Sequence, residues 1–229
     1  MAAPRAPDPA ARPYRIAVLA SGRGSNLQAL IDAAASQALP ATLVGVFSDR
    51  ADALALERAR GAGIPALALD PGAFPSRAAF DLELFAQIDA AAPDLVVCAG
   101  YMRLLGAAPV EARAGRLVNI HPSLLPAFKG LRTHRRALEA GAREHGASIH
   151  FVTADLDGGP VVSQARVPVL AGDDAATLGT RVLAREHPLL VETVRLLAAG
   201  RVVLHERRIH LDGRALAAPL QLASNNRFA

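Results

Sequence analysis

Asn119 and His121 stand two positions apart where an apolar stretch runs into a proline-containing loop, in the run NIHPSLLP. Side chains at positions i and i+2 of a strand point to the same side, so both would project together at the carboxyl end of a strand. An asparagine amide can donate to a developing oxyanion, and a histidine can move a proton near neutral pH. An asparagine that caps the strand and a structural histidine also explain the pair, and this motif alone favours that interpretation.

An acidic, glycine-rich segment, DLDGGP over 155–160, follows a strand-like stretch and could supply a carboxylate to that histidine. A carboxylate of this segment, from Asp155 or Asp157, beside an imidazole would raise the imidazole pKa and favour its cationic form. The same segment is also typical of a polar turn between two strands. By itself it therefore does not indicate catalysis.

The run SGRGSN over 21–26 directly follows the first apolar stretch and precedes a helical one. Glycine allows the backbone to turn tightly, and the N-terminus of the following helix presents free N–H groups to an anion. Leu27 stands where the dinucleotide-binding fingerprint needs a glycine, and no P-loop lysine follows. The turn predicts phosphate binding, with an ordinary turn in which Ser25 or Asn26 caps the helix as the alternative.

Strand-like and helical stretches alternate from Tyr14 onward, and they are the elements that must position these three motifs. Apolar runs such as 42–48 and 94–100 are separated by helical runs, which is the pattern of a parallel sheet with helices on both faces. Further along, 147–153 and 161–169 are typical of antiparallel partners. We therefore predict an α/β fold with a Rossmann-like, doubly wound, mostly parallel sheet that becomes mixed in the C-terminal half.

Three details of these elements can also be predicted. A helix over 76–92 should bury one apolar face, made by Phe80, Leu84 and Ile88. Asp49 and Asp52 are expected to cap the helix after the second strand. A long helix over 173–200 is expected to be interrupted near Pro188, because proline removes a helix hydrogen bond.

The chain has 229 residues, and its composition suggests one domain with a tail. Residues 1–13 are rich in alanine and proline and predict a disordered N-terminal tail, whereas 14–229 are expected to form a single domain. Cys98 is the one cysteine, which excludes an internal disulfide framework and a Cys-based zinc site. The spacing of the seven histidines predicts no metal site either.

Charge and hydropathy argue against two classes of partner. The formal net charge is only +4, and no run of five or six like charges exists, so we expect no nucleic-acid partner. No apolar run approaches the roughly 18 residues of a membrane span, and no signal-peptide pattern opens the chain. These observations predict a cytoplasmic protein without a membrane partner.

Taken together, the glycine-rich turn, NIHPSLLP and HGASIHFVTADLDGGPVV closely resemble, in order and spacing, the phosphoribosylglycinamide formyltransferase family. The resemblance extends from Tyr14 to about Arg214. It implies the formyltransferase fold and transfer of the formyl group of 10-formyltetrahydrofolate to the amine of N1-(5-phospho-D-ribosyl)glycinamide, in de novo purine biosynthesis. It implies small-molecule substrates and no metal, and leaves open whether the protein is a homodimer.

The resemblance also implies roles for individual residues. It makes Asn119, His121 and Asp157 the catalytic residues, with Asn119 and protonated His121 stabilising a tetrahedral intermediate while Asp157 tunes the histidine. The ribonucleotide and its phosphate would be bound by Gly24, Ser25, Asn26 and Glu186. The folate would be bound by Arg77, Met102, Arg103, Leu104, Leu105 and Asn119. The loop 153–158 would close over the pteridine.

Several positions stay open at this stage. Arg132 stands where the family usually has a histidine, and Ala154 where an acidic residue is usual. His150 fits a site-lining position or an ordinary strand position, and Lys129 fits an anion contact or a solvated turn.

Three alternative functions can be weighed against the family assignment. Methionyl-tRNA formyltransferase carries an additional C-terminal domain, and formyltetrahydrofolate hydrolase an N-terminal regulatory domain, for which we expect no room in this chain. A non-catalytic nucleotide-binding module would need the phosphate turn but not the three catalytic residues together.

Overall fold

The computed structural model describes residues 12–228, and its main feature is one large eight-stranded sheet. The predicted tail over 1–13 lies outside these residues except for Arg12 and Pro13. Arg12 donates two hydrogen bonds to the Asp94 carboxylate, at 2.7 and 2.8 Å, just before the first strand begins.

Strands and helices alternate through the first half of the chain, as the sequence predicts. The strands are β1 Tyr14–Leu19, β2 Ala41–Ser48, β3 Ala66–Ala68, β4 Leu95–Cys98, β5 Leu117–His121, β6 Glu144–Phe151, β7 Val161–Pro168, β8 Val202–His205, β9 Arg208–Leu211, β10 Arg214–Ala215 and β11 Leu220–Gln221. The helices are α1 Ser25–Ala35, α2 Leu54–Gly61, α3 Arg77–Ala90, α4 Ala107–Glu111, α5 Thr133–Glu139 and α6 Ala175–Ala198.

The large sheet has the strand order β11-β7-β6-β5-β4-β1-β2-β3. Strands β1 to β5 are all paired in parallel, whereas β6 runs antiparallel to both β5 and β7. Strand β11 then pairs in parallel with β7 at the edge. The prediction of a mostly parallel sheet that becomes mixed in the C-terminal half is confirmed, and β8–β10 form a separate antiparallel sheet.

Helices cover both faces of the large sheet through two apolar clusters. Side chains of α1, α2 and α6 pack with one cluster, and those of α3 and α4 with the other. The predicted apolar face of α3 is buried in the second cluster, where Phe80, Leu84 and Ile88 are at most 1% exposed. Successive side chains of a strand alternate between these two faces.

On the second face, neighbouring positions of strands β5, β6 and β7 carry polar side chains. Asn119 pairs with His150, His121 with Ser148, and Ser148 with Gln164, so these side chains share one face. The loops that follow β5 and β6 contact these side chains. This part of the face lies at the carboxyl end of β5, where open α/β sheets bind ligands.

Two local predictions are wrong. Helix α6 runs unbroken from Ala175 to Ala198 through Pro188, because a continuous stripe of buried leucines and valines packs it against the sheet and α1. Helix α2 has Ala53 as its N-cap without a side-chain bond. Asp49 instead accepts a hydrogen bond from Ser21, and Asp52 pairs with Arg50.

Among residues 12–228, no helix has the length and apolar character needed to cross a membrane. Over the same residues, no group of three or more His, Cys, Asp or Glu side chains is placed to hold a metal ion.

Candidate active site

The three predicted catalytic residues lie together at the carboxyl end of β5. Asn119 and His121 belong to the strand, and Asp157 reaches them from the loop after β6. Asp157 Oδ2 lies 3.4 Å from His121 Nδ1, and the two side chains are only 9% and 8% exposed. An imidazole and a carboxylate therefore face each other where little water screens their interaction.

His150 is a fourth member of this cluster. Its Nδ1 donates to the Phe151 carbonyl oxygen at 3.0 Å, since a carbonyl can only accept. Its Nε2 is then free to accept from the Asn119 side-chain amide at 3.1 Å, and it lies 3.5 Å from Asp157. This contact orients the Asn119 amide and leaves its second N–H available to another acceptor.

The protonation of His121 is under opposing influences. Burial lowers its pKa, whereas the Phe128 carbonyl oxygen, 3.1 Å from Nε2, and the nearby Asp157 charge raise it. The net result is a pKa below the ordinary value of 6.5. Both ring nitrogens face oxygen atoms, so the cation satisfies both contacts at once, but burial holds this cation to a minority at neutral pH.

Asp157 stays ionised because of the groups around it. Burial raises its pKa, but the neighbouring His150 ring, the Gly130 N–H, which donates to Oδ2 at 2.8 Å, and the nearby His121 outweigh this effect and bring the pKa to about 2. The backbone of Asp157 has a positive φ of 46°. A Cβ at Gly159 would lie 1.8 Å from the Phe151 carbonyl oxygen, so this second glycine lets the loop pack against the sheet.

The predicted phosphate turn connects β1 to α1 at the same edge of the sheet. Gly24 is the N-cap of α1 with a φ of 70°, and a Cβ there would lie 2.7 Å from Ala55 Cα. Neither Ser25 nor Asn26 caps the helix with its side chain, so the capping alternative is wrong. The first N–H groups of an 11-residue helix thus remain directed at the space beyond its end.

Glu186 of α6 lies beside this turn although 160 residues separate it from Asn26. Its Oε2 accepts a hydrogen bond from the Asn26 side chain at 2.8 Å, and both residues are 8% exposed. Burial raises the pKa of Glu186, and the bond from Asn26 partly opposes this. Asn26 Oδ1 is buried without a partner among the described residues, which leaves it free to accept from a ligand.

The predicted folate-binding segment is the loop that follows β4. Met102 and Leu104 are 67% and 56% exposed, which is unusual for large apolar side chains and suits contact with a flat apolar ligand. Leu105 is half-buried against the cluster around α3. The Met102 N–H donates to Ser21 Oγ at 2.9 Å, which ties this loop to the phosphate turn.

Arg77 and Arg103 both lie near the buried Asp81. Arg77 is the first residue of α3, and the Arg103 guanidinium stacks 5.1 Å from the centre of the Phe80 ring. The Asp81 carboxylate accepts a hydrogen bond from the Gly106 N–H at 2.8 Å. Burial raises the pKa of Asp81, and this effect exceeds the lowering by the Gly106 bond and by the two arginine charges. The carboxylate thereby anchors the far end of the folate-binding segment.

Sequence reasoning missed one link in this arrangement and left another undecided. The Ser21 hydroxyl, which donates to Asp49 at 2.5 Å, gives no signal in the sequence because its partners are distant along the chain. The role of His150 could have been inferred from its place opposite Asn119 once the pairing of β5 with β6 was known. Arg132 and Ala154, where the resemblance is imperfect, are both exposed outside the cluster.

Comparisons with known proteins identify the family of this chain. The formyl transferase family model matches residues 14–194. Phosphoribosylglycinamide formyltransferase from Escherichia coli (strain K12) is 54% identical over 201 residues, which cover 88% of this chain and 95% of that protein.

Solved structures of the same kind superpose closely. The phosphoribosylglycinamide formyltransferase from Coxiella burnetii has a TM-score of 0.86 at 48% identity and covers 90% of this chain and 97% of its own. Glycinamide ribonucleotide transformylase 1 from Symbiobacterium toebii has a TM-score of 0.84 at 50% identity, and the match covers 86% of this chain and 93% of that one. On this evidence the chain belongs to the formyl transferase family and, within it, to the phosphoribosylglycinamide formyltransferases, which are group-transferring enzymes.

Proposed function

We propose that this enzyme transfers the formyl group of 10-formyltetrahydrofolate to the amine of N1-(5-phospho-D-ribosyl)glycinamide, a step of de novo purine biosynthesis. The observation that carries the proposal is the buried cluster of Asn119, His121, His150 and Asp157 at the carboxyl end of β5. It combines an amide N–H, an imidazole and a carboxylate. Those are the groups that acyl transfer to an amine requires.

The reaction begins when the uncharged amine attacks the formyl carbon. A carbon–nitrogen bond forms, and the carbonyl electron pair moves onto oxygen to give a tetrahedral oxyanion. The second N–H of Asn119 and an N–H of His121 donate to this oxyanion. The bond from carbon to N10 of the folate then breaks, and the proton lost by the attacking nitrogen is delivered to N10.

His121 becomes a better donor as negative charge develops. Its Nε2–H bonds to the Phe128 carbonyl before substrate binds, and we infer that it turns to the oxyanion as the latter forms. An anion beside the ring raises the imidazole pKa, which adds to the effect of Asp157 and offsets the effect of burial. The cation that burial disfavours in the free enzyme is thereby favoured in the transition state.

The two substrates bind on opposite sides of this cluster. The N–H groups at the start of α1, with Gly24, Ser25 and Asn26, hold the phosphate, and Glu186 contacts the ribonucleotide. Met102, Arg103, Leu104 and Leu105 line the folate pocket together with Asn119, and Arg77 lies near the acidic tail of the folate. The loop 153–158 closes over the pteridine.

The same proposal includes the wider properties of the protein. Residues 14–229 act as a single formyltransferase domain that binds small molecules in the cytoplasm, without a nucleic-acid or membrane partner. No step requires a metal ion. The charge distribution supports the absence of a nucleic-acid partner, since most of the arginines pair with carboxylates or backbone carbonyls near them.

A formyl-transfer assay with the purified protein tests the proposal. Deformylated folate is followed by absorbance, with and without the glycinamide ribonucleotide. We expect product only when this amine is present. Steady release of formate without it would assign the protein as a formyltetrahydrofolate hydrolase, and binding of the ribonucleotide without turnover would indicate a non-catalytic nucleotide-binding module.

A further inference from the structure

A row of polar side chains crosses the sheet from the candidate active site toward its edge. His121 on β5 is paired with Ser148 on β6, and Ser148 with Gln164 on β7. Ser148 and Gln164 are 0% and 5% exposed. Buried polar groups lower stability unless they are hydrogen-bonded, so their partners indicate why they are there.

Their partners are backbone groups of the loop that follows His121. Gln164 Nε2 donates to the Leu125 carbonyl oxygen at 2.9 Å and to Ser148 Oγ at 3.0 Å. The same hydroxyl accepts from the Leu125 N–H at 3.0 Å and donates to the Ser123 carbonyl oxygen at 2.7 Å. A hydroxyl has one donor and two acceptor positions, so that of Ser148 is fully used.

The loop held in this way is the one that touches the His121 ring. Ser123 N–H donates to the His121 carbonyl oxygen at 2.9 Å, and Ser123 Oγ donates to Ala127 O at 2.6 Å. The next residue, Phe128, supplies the carbonyl oxygen that contacts His121 Nε2. A shift of Leu125 would therefore be passed on to that oxygen and to the ring.

The opposite end of the Gln164 side chain is also held. Its Oε1 lies 3.4 Å from Gln221 Nε2, and its backbone oxygen accepts from the Leu222 N–H at 2.9 Å. Gln221 belongs to the edge strand β11 and Leu222 follows it, and the contact with Gln221 keeps Oε1 on the side away from the loop, with Nε2 toward the loop. Among the residues that the structure describes, none of the hydrogen-bond partners of Gln164 is a titratable side chain.

We propose that Gln164 is a positioning residue for the transfer reaction: its side-chain amide, together with Ser148 Oγ, holds the loop 122–128 so that His121 faces the reacting carbonyl. The inference rests on the proposed function of His121. The Gln164 amide lies two strands away from His121 and contacts neither substrate site. Under this proposal it affects the reaction only through the loop.

The variant Gln164→Met tests this inference because it preserves side-chain volume and removes the amide. Displacing a reacting group by about 1 Å can reduce a rate by about 10². We expect kcat to fall at least tenfold, while KM for both substrates changes by less than about twofold. The control is Ser163→Ala, which removes a buried hydrogen bond to Thr193 on the other face of β7, at 2.7 Å in the wild type.

A purely structural role predicts a different result. Both variants would then show a lower Tm, and both would retain the wild-type kcat per folded molecule. That outcome would overturn the proposal. A loss in kcat restricted to Gln164→Met supports it.

The variant Gln164→Glu keeps the shape and adds a directional test. A protonated carboxyl group can donate to Leu125 O, whereas a carboxylate cannot, and burial raises the pKa of such a group. The ratio of variant to wild-type kcat should therefore rise as the pH falls from 8 to 6. A ratio that does not change with pH would contradict the proposed hydrogen bond.

Nuclear magnetic resonance of the His121 ring gives a readout that does not depend on turnover. With ¹⁵N-histidine labelling, and the His121 signals assigned by their absence in His121→Asn, we expect Nε2 to shift in Gln164→Met and not in Ser163→Ala. Unchanged His121 signals in both variants would overturn the positioning role. If the wild type lacked transfer activity, the proposed function would be wrong. The resonance measurement would still show whether Gln164 positions the His121 ring.

Discussion

At the scale of single residues, the central feature is a histidine whose burial and partners oppose each other. Burial lowers the pKa of His121, and the Asp157 charge raises it. Asp157 can exert this influence because its own pKa is held at about 2, so it is ionised throughout the neutral range. The balance between these effects sets the pH range in which the imidazole can act as a cation.

The variant Asp157→Asn tests that balance. Without the carboxylate the pKa of His121 falls, so the cationic form is lost at a lower pH. We expect the rate at pH 7 to fall by about 10² or more, and the decline of kcat with rising pH to begin at a lower pH. The pH–rate profiles of wild type and variant measure this shift.

A profile that keeps its position while the rate falls would mean that Asp157 orients groups without tuning the imidazole. A matched control is Asp173→Asn, since Asp173 also has a pKa lowered to about 2 but pairs with Arg181 away from the cluster.

Asn119 offers a second test at this scale. Removal of one oxyanion donor typically costs about 10²–10³ in rate. We expect the kcat of Asn119→Ala to fall by about 10²–10³. The kcat of His150→Ala should fall less, because this change removes only the group that orients the Asn119 amide. A larger loss in His150→Ala, measured in the same steady-state assay, would mean that His150 acts directly.

At the scale of elements, the phosphate turn depends on how β1, α1 and α2 meet. Gly24 has a positive φ and lies so close to Ala55 that any side chain would clash. The sequence predicts this turn correctly because glycine and the following helix are local signals. Only the family resemblance assigns Glu186 of α6 to the same site, and its hydrogen bond with Asn26 has no local signal because it joins residues 160 positions apart.

The variant Gly24→Ala should weaken binding of the phosphorylated substrate selectively. The added Cβ meets Ala55 Cα at 2.7 Å, so the turn must shift away from the helix end. Loss of the helix-end interaction corresponds to an effect on the order of tenfold in KM for the ribonucleotide. Steady-state kinetics with each substrate varied in turn would measure it.

Gly22→Ala is the control, since no atom lies within 4 Å of the position of its Cβ. Equal losses of ribonucleotide and folate affinity in Gly24→Ala would contradict the assignment of this turn to the phosphate.

At the scale of the whole molecule, the parallel order of the sheet brings distant segments to one edge. The alternation of apolar runs and helices predicts this architecture, and the structure confirms it. The unbroken α6 was not predicted, because burial of its apolar stripe outweighs the local effect of Pro188. Long-range side-chain contacts such as Asn26–Glu186 and Gln164–Leu125 have no local signature in the sequence.

The stability of the folded molecule should depend on pH through a buried histidine. His145 is fully buried, and burial, together with the His134 and His121 charges, lowers its pKa from 6.5 to about 4. The unfolded chain takes up this proton at higher pH than the folded chain. The contribution of His145 to the free energy of unfolding is therefore fully present above pH 6.5, and it is lost as the pH falls toward 4.

Urea unfolding at pH 7.5 and pH 5 measures this dependence. We expect His145→Gln to show a smaller fall in unfolding free energy between the two pH values than the wild type. Ser163→Ala removes a buried hydrogen bond without removing a titratable group, so it should leave the fall unchanged. An equal fall in wild type and His145→Gln would assign the pH dependence to other groups.

The most direct test of the proposed mechanism separates binding from chemistry in His121→Ala. Calorimetry gives the Kd of the glycinamide ribonucleotide and of a folate analogue, and a single-turnover experiment gives the rate of formyl transfer. Stabilisation of the oxyanion by His121 predicts both Kd values within about threefold of wild type and a transfer rate lower by at least about 10². A rate within a few-fold of wild type, or a loss that appears wholly in Kd, would contradict it.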